Sequence, residues 1–178
     1  IGLVCSIHST NENLAVIPFL KDPLQLIVHE SHPLANESSI TMAQLQHETF
    51  IMYRKDFVLY DRIIEECSKN GFFPAIACET TQKDLFIELV HAKVGIALLP
   101  AKIAAKIPYQ DIKRISFHQQ PIRLELGITW KKNKYLPFAV REFIELSKRF
   151  TMQQKRELPN SDSSPIHYAF TFCFAFAS

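Results

Sequence analysis

This chain contains little of what several common functions require. It has only four glycines in 178 residues, so it offers neither a glycine-rich loop to cradle phosphate groups nor a dinucleotide-binding fingerprint. It also lacks an apolar run of membrane-spanning length, and no basic stretch followed by an apolar segment marks a secretory signal. These absences argue against nucleotide-cofactor enzymes, membrane-spanning proteins and secreted precursors.

An excess of charge of one sign is missing as well. The chain has 20 basic and 18 acidic side chains and a net charge of +2, so no strong field directs it to nucleic acid. The densest basic group is Lys131, Lys132 and Lys134, which we interpret as a solvated turn rather than a phosphate-binding stripe. Hydrophobic residues make up 47% and charged residues 21%, which is typical of a soluble globular protein.

The cysteines indicate neither a disulfide framework nor a zinc site. None of the four lies in a C-x-x-C pattern, which favours reduced thiols in a cytoplasmic protein. The sequence opens directly on strand-like residues without an initiator methionine, and we interpret it as part of a longer protein. The cysteines are Cys5, Cys67, Cys78 and Cys173.

Residues 84–100 carry the clearest structural signal. Apolar residues four apart predict an amphipathic helix that ends before Gly95. Residues 96–99 then form an apolar run that predicts a strand buried on both faces, and Pro100 ends it because proline cannot donate to the ladder. Such a unit is typical of parallel sheets, in which ligands gather at the carboxyl ends of the strands.

Strands and helices alternate through the middle of the chain, which predicts an α/β fold. The predicted strands cover residues 1–5, 14–19, 23–29, 49–53, 74–79, 96–99, 112–117 and 122–131. Further helices are predicted over residues 57–70, 101–106 and 137–150.

Side-chain chemistry predicts how the helices begin, end and pack. Asp56 and Thr81 are the expected N-caps of two helices, and Thr41 with Gln44 forms a capping box at another helix start. Two inner faces are predicted from apolar spacing. They are Leu59, Ile63 and Cys67 in the helix that Asn70-Gly71 ends, and Val140, Phe143 and Phe150 in the last helix.

The composition changes abruptly at Thr151. Residues 151–165 are polar and charged, which is typical of disorder. Residues 166–178 alternate aromatic with small residues and carry no charge. The first interpretation is a strand or a membrane-surface anchor, and the second is a non-native extension. We favour the second interpretation and expect residues 151–178 to be a disordered or non-native tail.

Four segments in order carry a family resemblance. The stretches DPLQLIVHESHPLA, ITMAQLQHETFIMY, CSKNGFFP and ELVHAKVGIALLP, with their spacing, resemble the effector-binding domain of LysR-type transcriptional regulators over residues 1 to about 150. The resemblance implies two Rossmann-like subdomains of the type 2 periplasmic-binding-protein kind. Subdomain II would comprise residues 39–118, and subdomain I residues 1–38 and 120–150, with subdomain I incomplete at its N-terminus.

The same resemblance implies a function and its partners. The chain would be the domain that senses a small effector and forms a homodimer or homotetramer, with the predicted helix 57–70 and strand 49–53 as contact surfaces. DNA would be bound only through an N-terminal winged helix-turn-helix domain that this sequence does not include. We expect a cytoplasmic protein with no cofactor and no membrane association. The effector would act by preferring one arrangement of the subdomains or of neighbouring protomers.

One residue departs from the family pattern. Lys93 stands where the family usually has a glycine, ahead of the glycine matched by Gly95. If the preceding helix ends in a left-handed residue there, the lysine costs about 1 kcal/mol.

The candidate effector site follows from the rule about strand ends. Helix starts that follow parallel strands expose N–H groups and the positive end of the helix dipole, which favours an anionic effector. Arg54 and Lys55 strengthen this expectation, because two cations at a helix start repel the dipole and a bound carboxylate would relieve the repulsion. Solvation would relieve it too. The candidate residues are Cys5, Ser6, His8, Arg54, Lys55, Asp56, Thr80, Thr81, Gln82, Leu99 and Pro100.

Other chemistries were weighed against this site. Cys5 near His8 suggests a thiol–imidazole enzyme, but no third group orients the pair. His29 and His32 have the spacing of a metal pair without a third ligand, and we interpret them as surface residues. We therefore predict no catalytic and no metal site. A solute-binding protein of a transport system is the alternative with the same fold, and an export signal upstream would favour it.

Overall fold

The structure is a computed structural model, and it describes residues 1–4 and 13–156. The described chain divides into two compact units. Residues 22–123 form what we call the central unit, and the described parts of residues 1–21 with residues 124–156 form the terminal unit. The predicted subdomain boundaries stay a prediction, although residues 22–38 pack with the central unit. Of the predicted tail, residues 151–178, the first six lie in the last helix and the others lie outside the described residues.

The α/β class is confirmed, with eight strands and four α-helices in the described residues. The strands are β1 (Gly2–Val4), β2 (Leu14–His29), β3 (Ser39–Ile40), β4 (Thr49–Tyr53), β5 (Ala75–Thr80), β6 (Ile96–Pro100), β7 (Ile112–Phe117) and β8 (Arg123–Lys131). The helices are α1 (Val58–Lys69), α2 (Lys83–His91), α3 (Ala101–Ala104) and α4 (Phe138–Arg156).

The sheet of the central unit has the strand order β3-β7-β2-β6-β4-β5. β6, β4 and β5 run parallel to one another, while β2 pairs antiparallel with both β6 and β7. The sheet is therefore mixed, and its parallel part is the one that the apolar run before Pro100 predicted. Every residue of β6 is buried, as expected for a strand covered on both faces.

In the terminal unit, β8 lies between β1 and β2. β1 pairs antiparallel with β8, with Leu3 opposite Ile128. Gly127 of β8 allows a close approach, because a Cβ there would lie 3.0 Å from a methyl carbon of Val16 in β2. The unit is thus a small antiparallel sheet with α4 as its helix.

One strand was wrongly divided by the sequence pattern. Residues 14–19 and 23–29 were predicted as separate strands because Pro18, Pro23 and charged residues lie among them, yet β2 is continuous. Pro23 comes just before Leu24, the first residue that pairs with β6, so its missing N–H removes no bond from that ladder. β2 thereby contributes to both units.

The first helix confirms its predicted inner face and stop but not its cap. Leu59, Ile63 and Cys67 are fully or almost fully buried, and the helix ends at Asn70-Gly71, where Gly71 has a φ of 82°. The N-cap is Phe57 rather than Asp56. Asp56 is unavailable for capping because the Arg54 guanidinium holds its carboxylate.

The predicted capping box is confirmed in a shorter element. The Gln44 side-chain oxygen accepts the Thr41 backbone N–H at 2.7 Å, as a capping box requires. The helix that follows is only one 3-10 turn, Met42–Leu45, which buries Met42 and Leu45. A local capping signal therefore specifies a helix start without specifying the length of the helix.

The last helix differs from its prediction in both phase and length. Ile144 and Ser147 face the interior, whereas Phe143, predicted inside, is 51% exposed. The prediction was wrong for Phe143, whereas Val140, predicted on the same face, is partly buried. The helix also continues to Arg156, past the predicted end at Phe150, because the following residues favour helix and no proline intervenes before Pro159.

α2 ends in the strained turn that the sequence suggested. Lys93 has a φ of 60°, which is the left-handed region and is the only positive φ of a non-glycine residue in the part of the chain that the structure describes. Lys93 is exposed, so its side chain gains no burial that would offset this strain.

Replacing Lys93 with glycine should therefore stabilise the protein. We expect Lys93→Gly to raise the free energy of unfolding by about 1 kcal/mol, because glycine occupies the left-handed region without a Cβ penalty. Urea unfolding at neutral pH measures the change. Lys93→Ala is the matched control, since it removes the same side chain but keeps the Cβ. An equal gain from both variants would show that backbone strain is not the cause.

Candidate functional site

The carboxyl ends of the three parallel strands lie side by side in the central unit. Tyr53 at the end of β4 pairs with Thr80 at the end of β5, and Ile51 pairs with Ala97 in β6. We call the residues at and just after these three ends the carboxyl edge. It brings together the predicted candidates Arg54, Lys55, Asp56, Thr80, Thr81, Gln82, Leu99 and Pro100.

Two cations lie at the end of β4, and the nearby carboxylate of Asp56 pairs with only one of them, Arg54. The Arg54 guanidinium donates to Asp56 through Nε, at 3.1 Å from Oδ1, and through Nη2 to Oδ2. Both side chains are about half exposed. Lys55 between them is exposed, so the turn before α1 keeps one net positive charge. Phe57, the N-cap of α1, makes no side-chain cap, and among the first N–H groups of the helix that of Tyr60 donates to the Phe57 carbonyl at 2.9 Å.

At the end of β5, the threonines serve the turn rather than the helix cap. Thr80 Oγ1 accepts the Gln82 backbone N–H at 3.1 Å, and both Thr80 and Thr81 are buried. The N-cap of α2 is Gln82, without a side-chain cap, so the prediction that Thr81 caps this helix was wrong. Gln82 is exposed and is the residue of this group that can reach a ligand.

At the end of β6, the edge is shaped by apolar residues. Leu99 is fully buried and pairs with Gln25, and Pro100 pairs with Leu24. Their side chains therefore support the edge from the core.

The sequence did not point to Asp22, which lies beside the end of β6. Its side chain is 2% exposed, and Oδ2 accepts the Lys102 backbone N–H at 3.1 Å. Burial raises the pKa of this carboxyl to about 6, although the Lys102 N–H and ammonium act in the opposite direction. No local pattern marked it, because Asp22 lies between the two segments predicted as strands, 14–19 and 23–29.

Tyr53 completes the core beneath the carboxyl edge. It is fully buried, and its hydroxyl donates to the Leu98 carbonyl at 3.1 Å. Its ring stacks on Phe57 at 5.0 Å and lies 4.8 Å from the ring of Phe86, so it links β4 to both helices that begin at the edge. Burial, and then the charge of Asp22, raise the pKa of the Tyr53 phenol far above its usual range.

Three predicted site residues, Cys5, Ser6 and His8, lie outside the described residues. His29 lies within them and has a defined role: Nδ1 accepts the Ser31 N–H at 3.0 Å, and Nε2 lies 3.3 Å from Asp111 Oδ2. His91 Nδ1 contacts the same oxygen at 2.9 Å. Among residues 1–4 and 13–156, no three His, Cys, Asp or Glu side chains could hold a metal ion together.

In the described part of the chain, no helix combines the length and the apolar character needed to cross a bilayer.

Comparison with protein families gives one match that covers most of the chain. The profile described as the LysR substrate binding domain matches residues 1–151. YwbI, an uncharacterized HTH-type transcriptional regulator of Bacillus subtilis (strain 168), is 41% identical over 138 residues, which are 78% of this chain and 46% of YwbI. AlsR, an HTH-type transcriptional regulator of the same organism, is 31% identical over 127 residues, which are 70% of this chain and 41% of AlsR. The chain thus spans less than half the length of these relatives.

Solved structures show the same fold. The effector binding domain of QuiR in complex with shikimate matches with a TM-score of 0.72 and 22% identity, covering 85% of this chain and 71% of that one. The CcmR regulatory domain of Synechocystis PCC6803 in complex with 2-PG matches with a TM-score of 0.74 and 20% identity, covering 84% and 72%. At these identities the likeness concerns the fold alone, and the predicted fold of the type 2 periplasmic-binding-protein kind is confirmed.

Proposed function

Because this chain belongs to the LysR substrate-binding-domain family, we propose that it senses a small anionic effector for a cytoplasmic bacterial transcriptional regulator. The chain is the effector-binding domain of a LysR-type regulator. In our proposal it is a binding module and not an enzyme, and the regulator contacts DNA through a winged helix-turn-helix domain elsewhere in the protein. Effector binding shifts the population between conformations that differ in DNA affinity.

We place the effector at the carboxyl edge. The observation that supports this most is the start of α1, where an exposed Lys55 and an Arg54–Asp56 pair lie beside the first N–H groups of a helix whose N-cap, Phe57, makes no side-chain cap. A carboxylate or phosphate accepts such N–H groups and is favoured by the helix dipole. Gln82, at the uncapped start of α2, adds a neutral hydrogen-bonding group on the same edge.

Removing both cations tests the placement. We expect the double variant Arg54→Gln, Lys55→Gln to bind an anionic effector at least about 10-fold more weakly, since a partly exposed charge contributes on the order of 1–2 kcal/mol to such contacts. Titration calorimetry measures the affinity. Small carboxylates and phosphorylated acids, beginning with shikimate and 2-phosphoglycolate, form the panel from which the effector is identified by thermal shift. The unfolding free energy should change little, because the three side chains of this turn are exposed.

A control separates local contacts from the general effect of net charge. Lys131→Gln, Lys132→Gln removes two charges from an exposed turn in the terminal unit and should leave the affinity unchanged. If the Arg54 and Lys55 variant binds a confirmed effector as tightly as the parent protein, the placement at the carboxyl edge is wrong.

The proposal includes self-association, with one surface revised. β4 lies between β6 and β5 and buries Phe50 through Tyr53, so the predicted contact strand 49–53 cannot present its side chains to a second protomer. β5 is the outermost strand on that side, and Phe73 and Ile76 next to and within it are 75% and 37% exposed. We therefore propose that α1 and β5, rather than α1 and β4, form the surface of a homodimer or homotetramer.

A further inference from the structure

Asp22 is a buried carboxylate at the point where β2 passes from the terminal to the central unit. Lys21 is the last residue of one unit and Asp22 the first of the other. The Asp22 carboxylate bonds to a different segment of the chain. Its Oδ2 accepts the backbone N–H of Lys102, which lies two residues after the end of β6. Asp22 thus connects the entry of β2 into the central unit to the first turn of α3, which follows β6 directly.

Among residues 1–4 and 13–156, few groups offset the charge of this carboxylate. The backbone N–H and the ammonium group of Lys102, in α3, both favour the ionised form of Asp22. The negative charge of Asp22 in turn disfavours ionisation of the Tyr53 phenol in β4. The preceding cation, Lys21, is directed to Glu125 Oε1 at 3.3 Å. The Tyr53 hydroxyl donates to the Leu98 carbonyl. The ionised form is therefore compensated mainly by one backbone N–H and one partly exposed lysine.

We propose that Asp22 is a positioning residue whose protonation state sets the geometry of the first turn of α3 at the carboxyl edge. The importance of this turn for regulation rests on the proposed function, because Pro100 of the effector site is the N-cap of α3. The ionised carboxylate makes a charge-assisted hydrogen bond that holds the Lys102 N–H. The protonated form is a weaker acceptor, and its own O–H needs an acceptor. Protonation accordingly loosens the turn.

A consequence concerns the effector. An anion at the carboxyl edge adds negative potential near Asp22, which favours the protonated carboxyl. Anion binding is therefore accompanied by proton uptake at Asp22, and by reciprocity acidification strengthens the binding of an anion. A carboxylate inside the binding domain thereby makes the response to an anionic effector depend on pH.

The test requires no effector. In the intact 178-residue chain, the Lys102 amide resonance and the Asp22 side-chain carboxyl carbon should titrate together in heteronuclear NMR, with a midpoint at about pH 6. In Asp22→Asn the Lys102 transition should be lost, because asparagine can accept the same N–H but does not ionise. The control Asp84→Asn removes a carboxylate that is 83% exposed and should retain the transition.

Two results would overturn the proposal. One is a Lys102 amide that shows no transition between about pH 5 and pH 7, and the other is a transition that persists in Asp22→Asn. Should the variant fold poorly, the carboxyl titration of the parent protein still decides, since a midpoint near about pH 4 would show that the carboxyl is not perturbed. These results are independent of the Arg54 and Lys55 variants, so failure of one proposal leaves the other to its own test.

Discussion

Replacing Gly95 with alanine is expected to cause the largest loss of stability of the substitutions considered. Gly95 lies immediately before β6, where a Cβ would overlap the carbonyl oxygen of Thr49 and come within 3.2 Å of its carbonyl carbon. Thr49 belongs to β4, which is paired on one side with β5 and on the other with β6, so its backbone cannot move away without disturbing both ladders. We expect Gly95→Ala to lower the free energy of unfolding by about 3 kcal/mol or more.

A second glycine provides the control for this prediction. Gly71 has a φ of 82°, and a Cβ built there meets nothing within 4 Å. Gly71→Ala should therefore cost only the backbone strain, about 1 kcal/mol. Urea unfolding of the two variants measures the difference. Similar losses would mean that the close approach of Gly95 to Thr49 does not exist in the folded protein.

Asp22→Asn is expected to stabilise the protein above about pH 6. The folded-state pKa of Asp22 is raised from 3.8 to about 6, so the folded state holds this proton more tightly than the unfolded chain. Stability from this group is present below about pH 4 and is lost as the pH rises through about 6. Asparagine has the same shape and no charge, so the variant should gain about 3 kcal/mol at pH 7 and about nothing at pH 4.

The difference in unfolding free energy between Asp22→Asn and the parent protein separates the contribution of Asp22 from that of the other carboxyl groups. Unfolding free energies measured by urea at several pH values between about 4 and 8 should give a difference that grows with pH and then levels off. Asp84→Asn, which removes an exposed carboxylate from the first turn of α2, should not give a growing gain, because its charge favours the helix dipole. An Asp22→Asn variant that is less stable than the parent at neutral pH would contradict the prediction.

Periodic patterns of apolar residues allowed most elements to be predicted. β4 and β7 have the bounds that were expected, and β6 is buried throughout as its unbroken apolar run required. These features are local, since a strand buried on both faces must be apolar at every position. The strained residue at the end of α2 was also expected, because Lys93 replaces a glycine of the family pattern.

Features that depend on competition between neighbours were predicted less well. Asp56 has the side chain of an N-cap, but the Arg54 guanidinium takes its carboxylate. Thr80 rather than Thr81 accepts the N–H in the turn before α2. The phase of α4 depends on what packs against it, and apolar spacing alone placed Phe143 on the wrong face.

The sequence by itself determined the α/β class, the family and the gathering of eight candidate residues at one edge, because parallel strands necessarily end together. Only the tertiary structure decided that β2 runs unbroken through both units and that Asp22 is buried against Lys102. Whether a carboxylate is exposed or buried depends on segments distant in sequence, here residues 22 and 102. No pattern within either segment contains that information.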